Sequence, residues 1–154
     1  MALVSLAVAA RRLKSLVTPI QIDLEPGPDW LEIGGDEWRL KLPPALSVST
    51  STSQPHFVQF KREPHEFASD VLVERKVGTI PSDWMLWLQD LRASVHAIHH
   101  QAGCGFVFIT KTRESAVYDF ILNRKGTTWR VTLSIHDDLL DEATALTVAS
   151  TLQA

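Results

Sequence analysis

Apolar residues recur along this chain in two rhythms. From Ala2 to Val17, the residues Leu3, Leu6, Ala10, Leu13 and Val17 return every three or four positions, the period of one helix face, and Pro19 closes the run. The same period is traced by Trp84, Leu88, Leu91, Val95 and Ile98, with Pro81 and Ser82 at the start and Asp83 in the first turn, which predicts a long helix over 81–98. Gly103 and Gly105 then bracket Cys104 at the turn out of it. A third helix is predicted after the last strand: Asp137 or Asp138 caps it, Asp141 and Glu142 favour its positive end, and Leu139, Ala143, Leu146, Val148 and Leu152 supply its buried side.

Between these helices the period is two. Ile20, Ile22 and Leu24 alternate with polar neighbours; Trp30, Leu31 and Ile33 lead through Gly34-Gly35 into Trp38, Leu40 and Leu42, a hairpin pattern that Pro43-Pro44 ends. The stretch SVSTSTSQP reads as an edge strand or an exposed loop. Phe57, Val58 and Phe60 and the run Val71 to Val77 form a second hairpin, joined by the charged, proline-broken KREPHEFASD. Phe106 to Thr110 and Ala116 to Leu122 are two further strands; after the turn NRKG, Trp129, Val131, Leu133 and Ile135 alternate with Thr128, Arg130, Thr132, Ser134 and His136. The element order predicts an α+β fold: an antiparallel β-sheet flanked by a long central helix and by N- and C-terminal helices. One domain over 1–154 is expected, with the N-terminal helix of residues 1–18 able to dock outside the core.

Composition narrows the partners. Hydrophobic residues make up 45% and charged ones 21% of the 154 residues, the balance of a globular chain, and a net charge of −3 gives no general attraction to nucleic acid or anionic lipid. A single cysteine, Cys104, excludes an internal disulfide and suits a reducing compartment. The N-terminal run ALVSLAVAA has Arg11, Arg12 and Lys14 behind it, where an export signal carries its positive charge in front. It is also shorter than the roughly 20 residues that span a bilayer. A cytoplasmic location without stable membrane insertion is therefore expected.

Candidate chemistry is sparse. On a helix, His96 and His100 would share a face, and with Cys104 beyond the helix end they form the set that could ligate a metal, although zinc motifs add a glutamate or a second pair. Cys104 with a neighbouring histidine is also the one nucleophile–base pairing in view. His136 and Asp137 are adjacent along a strand end and so point apart. Phosphate cradles are absent: there is no GxGxxG, and Gly34-Gly35 lacks a following helix. Arg113, Arg124, Lys125 and Arg130 read as a solvated hairpin tip. Of the five tryptophans, Trp84 and Trp129 fall on buried stripes, leaving Trp30, Trp38 and Trp87, with Leu6 and Leu13 of the first helix, as candidate partner-binding anchors.

From Val71 onward, the strand VLVERK ahead of a helix, a three-strand meander with the NRKG turn, and a C-terminal helix resemble the PsbP-like/DcrB-like α/β/α sandwich superfamily. The resemblance covers about half of the chain. It implies a mostly noncatalytic role, as in soluble subunits of larger complexes, lipoproteins of the LpqN type, and Eag-type chaperones that hold hydrophobic helices of secretion effectors. The first helix is an addition to that pattern, and the family's LPxGW-like opening is represented only by LPPAL at Leu42 to Leu46, so no functional residue is carried over. The expectation is a noncatalytic cytosolic adaptor or chaperone that holds an apolar segment of a partner protein, secretion-associated by resemblance, without cofactor, and able to dimerise through its sheet. The alternatives are a metal- or cysteine-dependent enzyme built on His96, His100 and Cys104, and a structural subunit of a larger assembly.

Overall fold

The alternating segments after Gly103 form the centre of the molecule. In the computed structural model, residues 3–5, 18–20, 22, 25–35, 37–51, 54–77, 79–81, 94–100, 103–124 and 126–153 are described. Along the chain the strands are β1 (Leu3–Ser5), β2 (Thr18–Pro19), β3 (Leu31–Gly34), β4 (Arg39–Leu42), β5 (Ser47–Ser51), β6 (Gln54–Lys61), β7 (Ser69–Val77), β8 (Thr79–Pro81), β9 (Ser94–His100), β10 (Gly103–Lys111), β11 (Ser115–Arg124) and β12 (Thr127–His136). One helix among the described residues, α1 (Glu142–Ser150), follows them.

Eight of these strands form one sheet in the order β2-β9-β10-β11-β12-β7-β6-β5, antiparallel throughout except for the parallel β2–β9 contact. The β11–β12 hairpin is tight because Gly126 takes φ +78°, a left-handed conformation that costs glycine nothing. Trp129, Val131, Leu133 and Ile135 of β12 are buried on one face, opposite Leu122, Phe120, Tyr118 and Ala116 of β11. Gly105 of β10 lies so close to β11 that a Cβ there would collide with the Ile121 carbonyl oxygen. Only glycine allows that approach.

A layer of α1 and the β3–β4 hairpin covers this face. Ala145, Leu146, Val148 and Ala149 of the helix and Ile33, Trp38, Leu40 and Leu42 of the hairpin belong to the same core as the sheet residues. Leu40 and Leu42 are fully buried, each stabilising the fold by about 1.5–3 kcal/mol relative to an exposed position. The hairpin is clipped to the residues after α1: Arg39 N donates to Gln153 O at 2.8 Å, Gln153 N to Arg39 O at 2.9 Å, and Lys41 N to Thr151 Oγ1 at 2.8 Å.

Two helices expected from the sequence are corrected. Ser94–His100, the last part of the span 81–98, is strand β9, paired along β10 from Ile109 to Gly103; residues 82–93 lie outside the described residues. Val95 and Ile98, three apart, share a helix face but fall on opposite faces of a strand, so the local pattern favours the helix, and the backbone partners that β10 supplies override it. At the N-terminus, Leu3–Ser5 pairs antiparallel with Thr79–Pro81 instead of opening a helix, and residues 6–17 lie outside the described residues. Among the described residues the fold is thus an eight-stranded sheet, two two-stranded ones and one short C-terminal helix, richer in β-structure than the α+β layout with a long central helix. The third helix starts later than expected: Asp137 and Asp138 adopt left-handed turn conformations, both at φ 52°, and Asp141 is the N-cap, its Oδ1 accepting from Thr144 N at 2.8 Å.

Candidate functional site

The strand β7 has two different edges. On one side it pairs with β12 from Asp70 to Val77. On the other, its ladder with β6 runs from Ser69↔Phe60 to Leu72↔Phe57 and stops there among the described residues. Continued register would set Pro55 opposite Glu74, and proline has no N–H to donate to a ladder. Past Phe57, β6 keeps only its pairing with β5, where the register shifts between Thr50 and Ser51.

Where β6 leaves β7, a cleft of about 590 Å³ opens. Val73, Glu74 and Arg75 of β7 line it, with Trp129 of β12, His56 of β6, and Gly35, Glu37 and Trp38 of the β3–β4 connection. Its apolar wall is made of Trp38, Trp129 and Val73, all buried in the core face of the sheet. Its rim is charged. Arg75, directly opposite Trp129 in the β7–β12 register, holds its guanidinium 5.9 Å from the centre of the Trp129 ring and donates from Nη2 to Glu37 Oε1 at 3.1 Å. Both partners of that ion pair are about half exposed, so it contributes about 0–1 kcal/mol and opens at little cost.

Glu74 points to the reverse face of the sheet, into a network that sequence reasoning missed. There Arg130 donates from Nε to Asp119 Oδ1 at 3.0 Å and from Nη2 to Oδ2 at 2.9 Å, and Thr132 Oγ1 donates to Oδ1 at 3.2 Å. Asp119 is 1% exposed, among the buried residues Phe106, Phe108 and Ile121. The bidentate geometry is what allows a carboxylate to remain buried. Glu74 is the second anion beside Arg130, with Oε2 at 3.6 Å from Nη1, within ion-pair range but beyond a hydrogen bond; that buried oxygen accepts from no donor. Arg130 is therefore a half-buried, neutralised cation and not part of a solvated basic tip.

The groups whose ionisation the fold shifts do not line the cleft. Burial raises the Asp70 carboxyl above its usual range, partly offset by His136 and by a hydrogen bond with Ser134. Burial likewise raises the Tyr118 phenol, aided by Glu142, Asp141 and Asp138 nearby. The hydrogen bonds from Thr144 lower Asp141. Each shift follows from the residue's place in the scaffold.

Of the anchors expected from the sequence, Trp38 lines the cleft and Trp30 is half-buried against the core; Trp87, Leu6 and Leu13 lie outside the described residues. His96, His100 and Cys104 are all strand residues. Register sets His96 opposite Val107, His100 opposite Gly103 and Cys104 opposite His99. Four residues along a strand span about 13 Å, so the helical proximity of His96 and His100 is not available to their backbones. Among the described residues no group of three or more His, Cys, Asp or Glu is placed to hold a metal ion. No helix among them is long and apolar enough to cross a membrane.

No family model and no curated protein sequence matches this chain. Solved structures do match in fold. A crystal structure from Bacteroides thetaiotaomicron aligns at a TM-score of 0.51 and 10% identity over 82% of this chain, which spans about half, 48%, of that longer one. The solution structure of cyanobacterial PsbP (CyanoP) from Synechocystis aligns at a TM-score of 0.45 and 13% identity, over 91% of this chain and 99% of that one. The crystal structure of LpqN, involved in cell envelope biogenesis of Mycobacterium tuberculosis, aligns at 0.40 and 17%, over 88% of each chain. At these identities the matches are a likeness of fold.

Proposed function

We propose that this protein is a noncatalytic binding protein, an adaptor or chaperone that holds a segment of a partner polypeptide in the cleft between β7 and the β3–β4 connection. One observation carries the reading: Trp38, Trp129 and Val73 wall a cleft at the point where the β6-side edge of β7 has no strand partner among the described residues. The two tryptophans, 5% and 4% exposed, give the cleft an apolar floor, and a strand edge gives backbone donors and acceptors, the two things an extended peptide needs. Among the described residues that line it, none supplies a hydroxyl or thiol nucleophile. A cytoplasmic setting accords with the single cysteine, and a secretion-associated role is the form of this reading that the fold superfamily suggests.

The reading is tested by photo-crosslinking from position 56, at the cleft mouth, with position 67 as the control; Phe67 is 80% exposed and distant in the β6–β7 loop. A discrete partner protein crosslinked from 56 and not from 67 is expected. Identical products from the two positions, or none from 56, would overturn the assignment of the cleft.

A further inference from the structure

The open edge and the unmatched carboxylate together describe the occupant. We infer that the cleft takes an extended partner segment as an added strand along β7, at Val73–Val77, and that this segment carries a lysine or arginine to Glu74. The inference rests on the binding reading above and specifies its chemistry.

The backbone argument comes first. In an antiparallel sheet alternate residues turn both N–H and C=O to the same side, so those of Val73–Val77 not directed to β12 face the side from which β6 has departed. Among the described residues no strand takes them up, and a cleft of about 590 Å³ borders Val73, Glu74 and Arg75 instead. An open edge of this kind is a template for one more strand. Side chains of an added strand would alternate between the two faces. On the core face they meet Trp38, Val73 and Trp129, which favours an apolar residue; on the reverse face they meet Glu74.

The charge argument selects what reaches Glu74. Asp119 and Glu74 share the guanidinium of Arg130, and Asp119 takes both good hydrogen bonds. Glu74 Oε2 is buried without a donor, where buried acceptors are ordinarily satisfied, while the side chain as a whole is 39% exposed and so open to approach from outside. Arg75 is turned away to Glu37 and to the Trp129 ring. A cation arriving with the partner would supply the donor and balance the second carboxylate. The half-exposed Arg75–Glu37 pair closes the rim weakly enough to part for entry.

The experiment uses the whole protein and a phage-displayed library of random peptides, followed by amide hydrogen exchange with a selected synthetic peptide. His56→Trp narrows the mouth from an exposed position, and Glu74→Gln removes the charge while keeping the shape. Selected peptides should carry Lys or Arg next to an apolar residue, slow exchange at alternate amides of Val73–Val77, and fail to bind His56→Trp. Methylating alternate peptide nitrogens should weaken binding by about tenfold or more, and Glu74→Gln by about tenfold for the cationic peptide. A peptide that His56→Trp blocks but that leaves those amides unprotected and tolerates N-methylation would overturn strand addition while sparing the binding reading. Undiminished binding to Glu74→Gln would overturn the cationic contact. A library that yields no binder, or one indifferent to His56→Trp, overturns both readings. A concentration-dependent dimer of the wild-type protein, abolished by His56→Trp, would place a second copy on the edge and overturn the partner segment.

Discussion

Replacing Asp119 by alanine isolates the energetics of the reverse face. The carboxylate is 1% exposed and receives three hydrogen bonds, two from Arg130 and one from Thr132. Its removal strands a guanidinium whose side chain is 17% exposed, with Glu74 at 3.6 Å as its remaining ion contact in this network. Breaking a buried pair in this way costs about 3–5 kcal/mol; partial access of water to Arg130 and a closer approach by Glu74 bring the expected loss to about 3 kcal/mol. For a chain of this size that is a fall in Tm of about 6–12 °C. Urea denaturation followed by tryptophan fluorescence should show the loss as a lower midpoint with an unchanged slope. The triple replacement Asp119→Leu, Arg130→Met and Glu74→Gln should recover most of it, because it removes the cation together with both carboxylates that face it. A loss below about 1 kcal/mol in Asp119→Ala, or a triple variant as unstable as the single, would refute the account of a desolvated pair.

Three further changes probe the scaffold. Gly105→Ala should destabilise by about 3 kcal/mol, since the new Cβ meets a backbone carbonyl that cannot move aside, whereas Gly126→Ala, with open space around it, should cost only about 1 kcal/mol for its left-handed φ; equal losses in denaturant titrations would contradict this. Asp141→Ala should cost about 1 kcal/mol at neutral pH through loss of the helix cap. Because hydrogen bonds lower the folded-state pKa of Asp141, its charged form contributes stability at neutral pH that is lost as pH falls through that lowered value, so the gap between wild type and variant should narrow in acid; a constant gap would be wrong for this mechanism. Asp70 is raised, mainly by burial, so its ionised form is disfavoured by folding and the stability lost as pH rises through the folded pKa should return in Asp70→Asn. Thermal melts at pH 7 should show that variant at least as stable as wild type, with the difference vanishing in acid.

Much of the sheet was legible because its strands are half-buried and alternate cleanly. Trp129, Val131, Leu133 and Ile135 identified both the strand and its inner face, and the β3–β4 and β6–β7 hairpins followed from the same signal with Gly and Pro as punctuation. Ser94–His100 was not legible, because two apolar residues three apart suit the helical period and not a half-buried strand, and the outcome depended on β10, a neighbour that local pattern does not reveal. The site was legible only in fragments. Trp38 was named as an anchor, but the cleft arises where two strands part, and Glu74 becomes an unmatched carboxylate only once Asp119 has taken Arg130. No spacing along the chain encodes that competition.

The clip between Arg39 and Gln153 has a bearing on when the protein becomes competent. Trp38, which walls the cleft, immediately precedes Arg39, and the strand β4 that Arg39 opens is held by backbone and hydroxyl bonds to Thr151 and Gln153. On the ribosome, β6, β7 and the hairpin emerge well before those residues do. The side of the cleft that Trp38 forms is therefore completed only when residues 151–153 have been released, and a chain cut short of them would keep Trp129 in the sheet while losing the bonds that hold Trp38 over it.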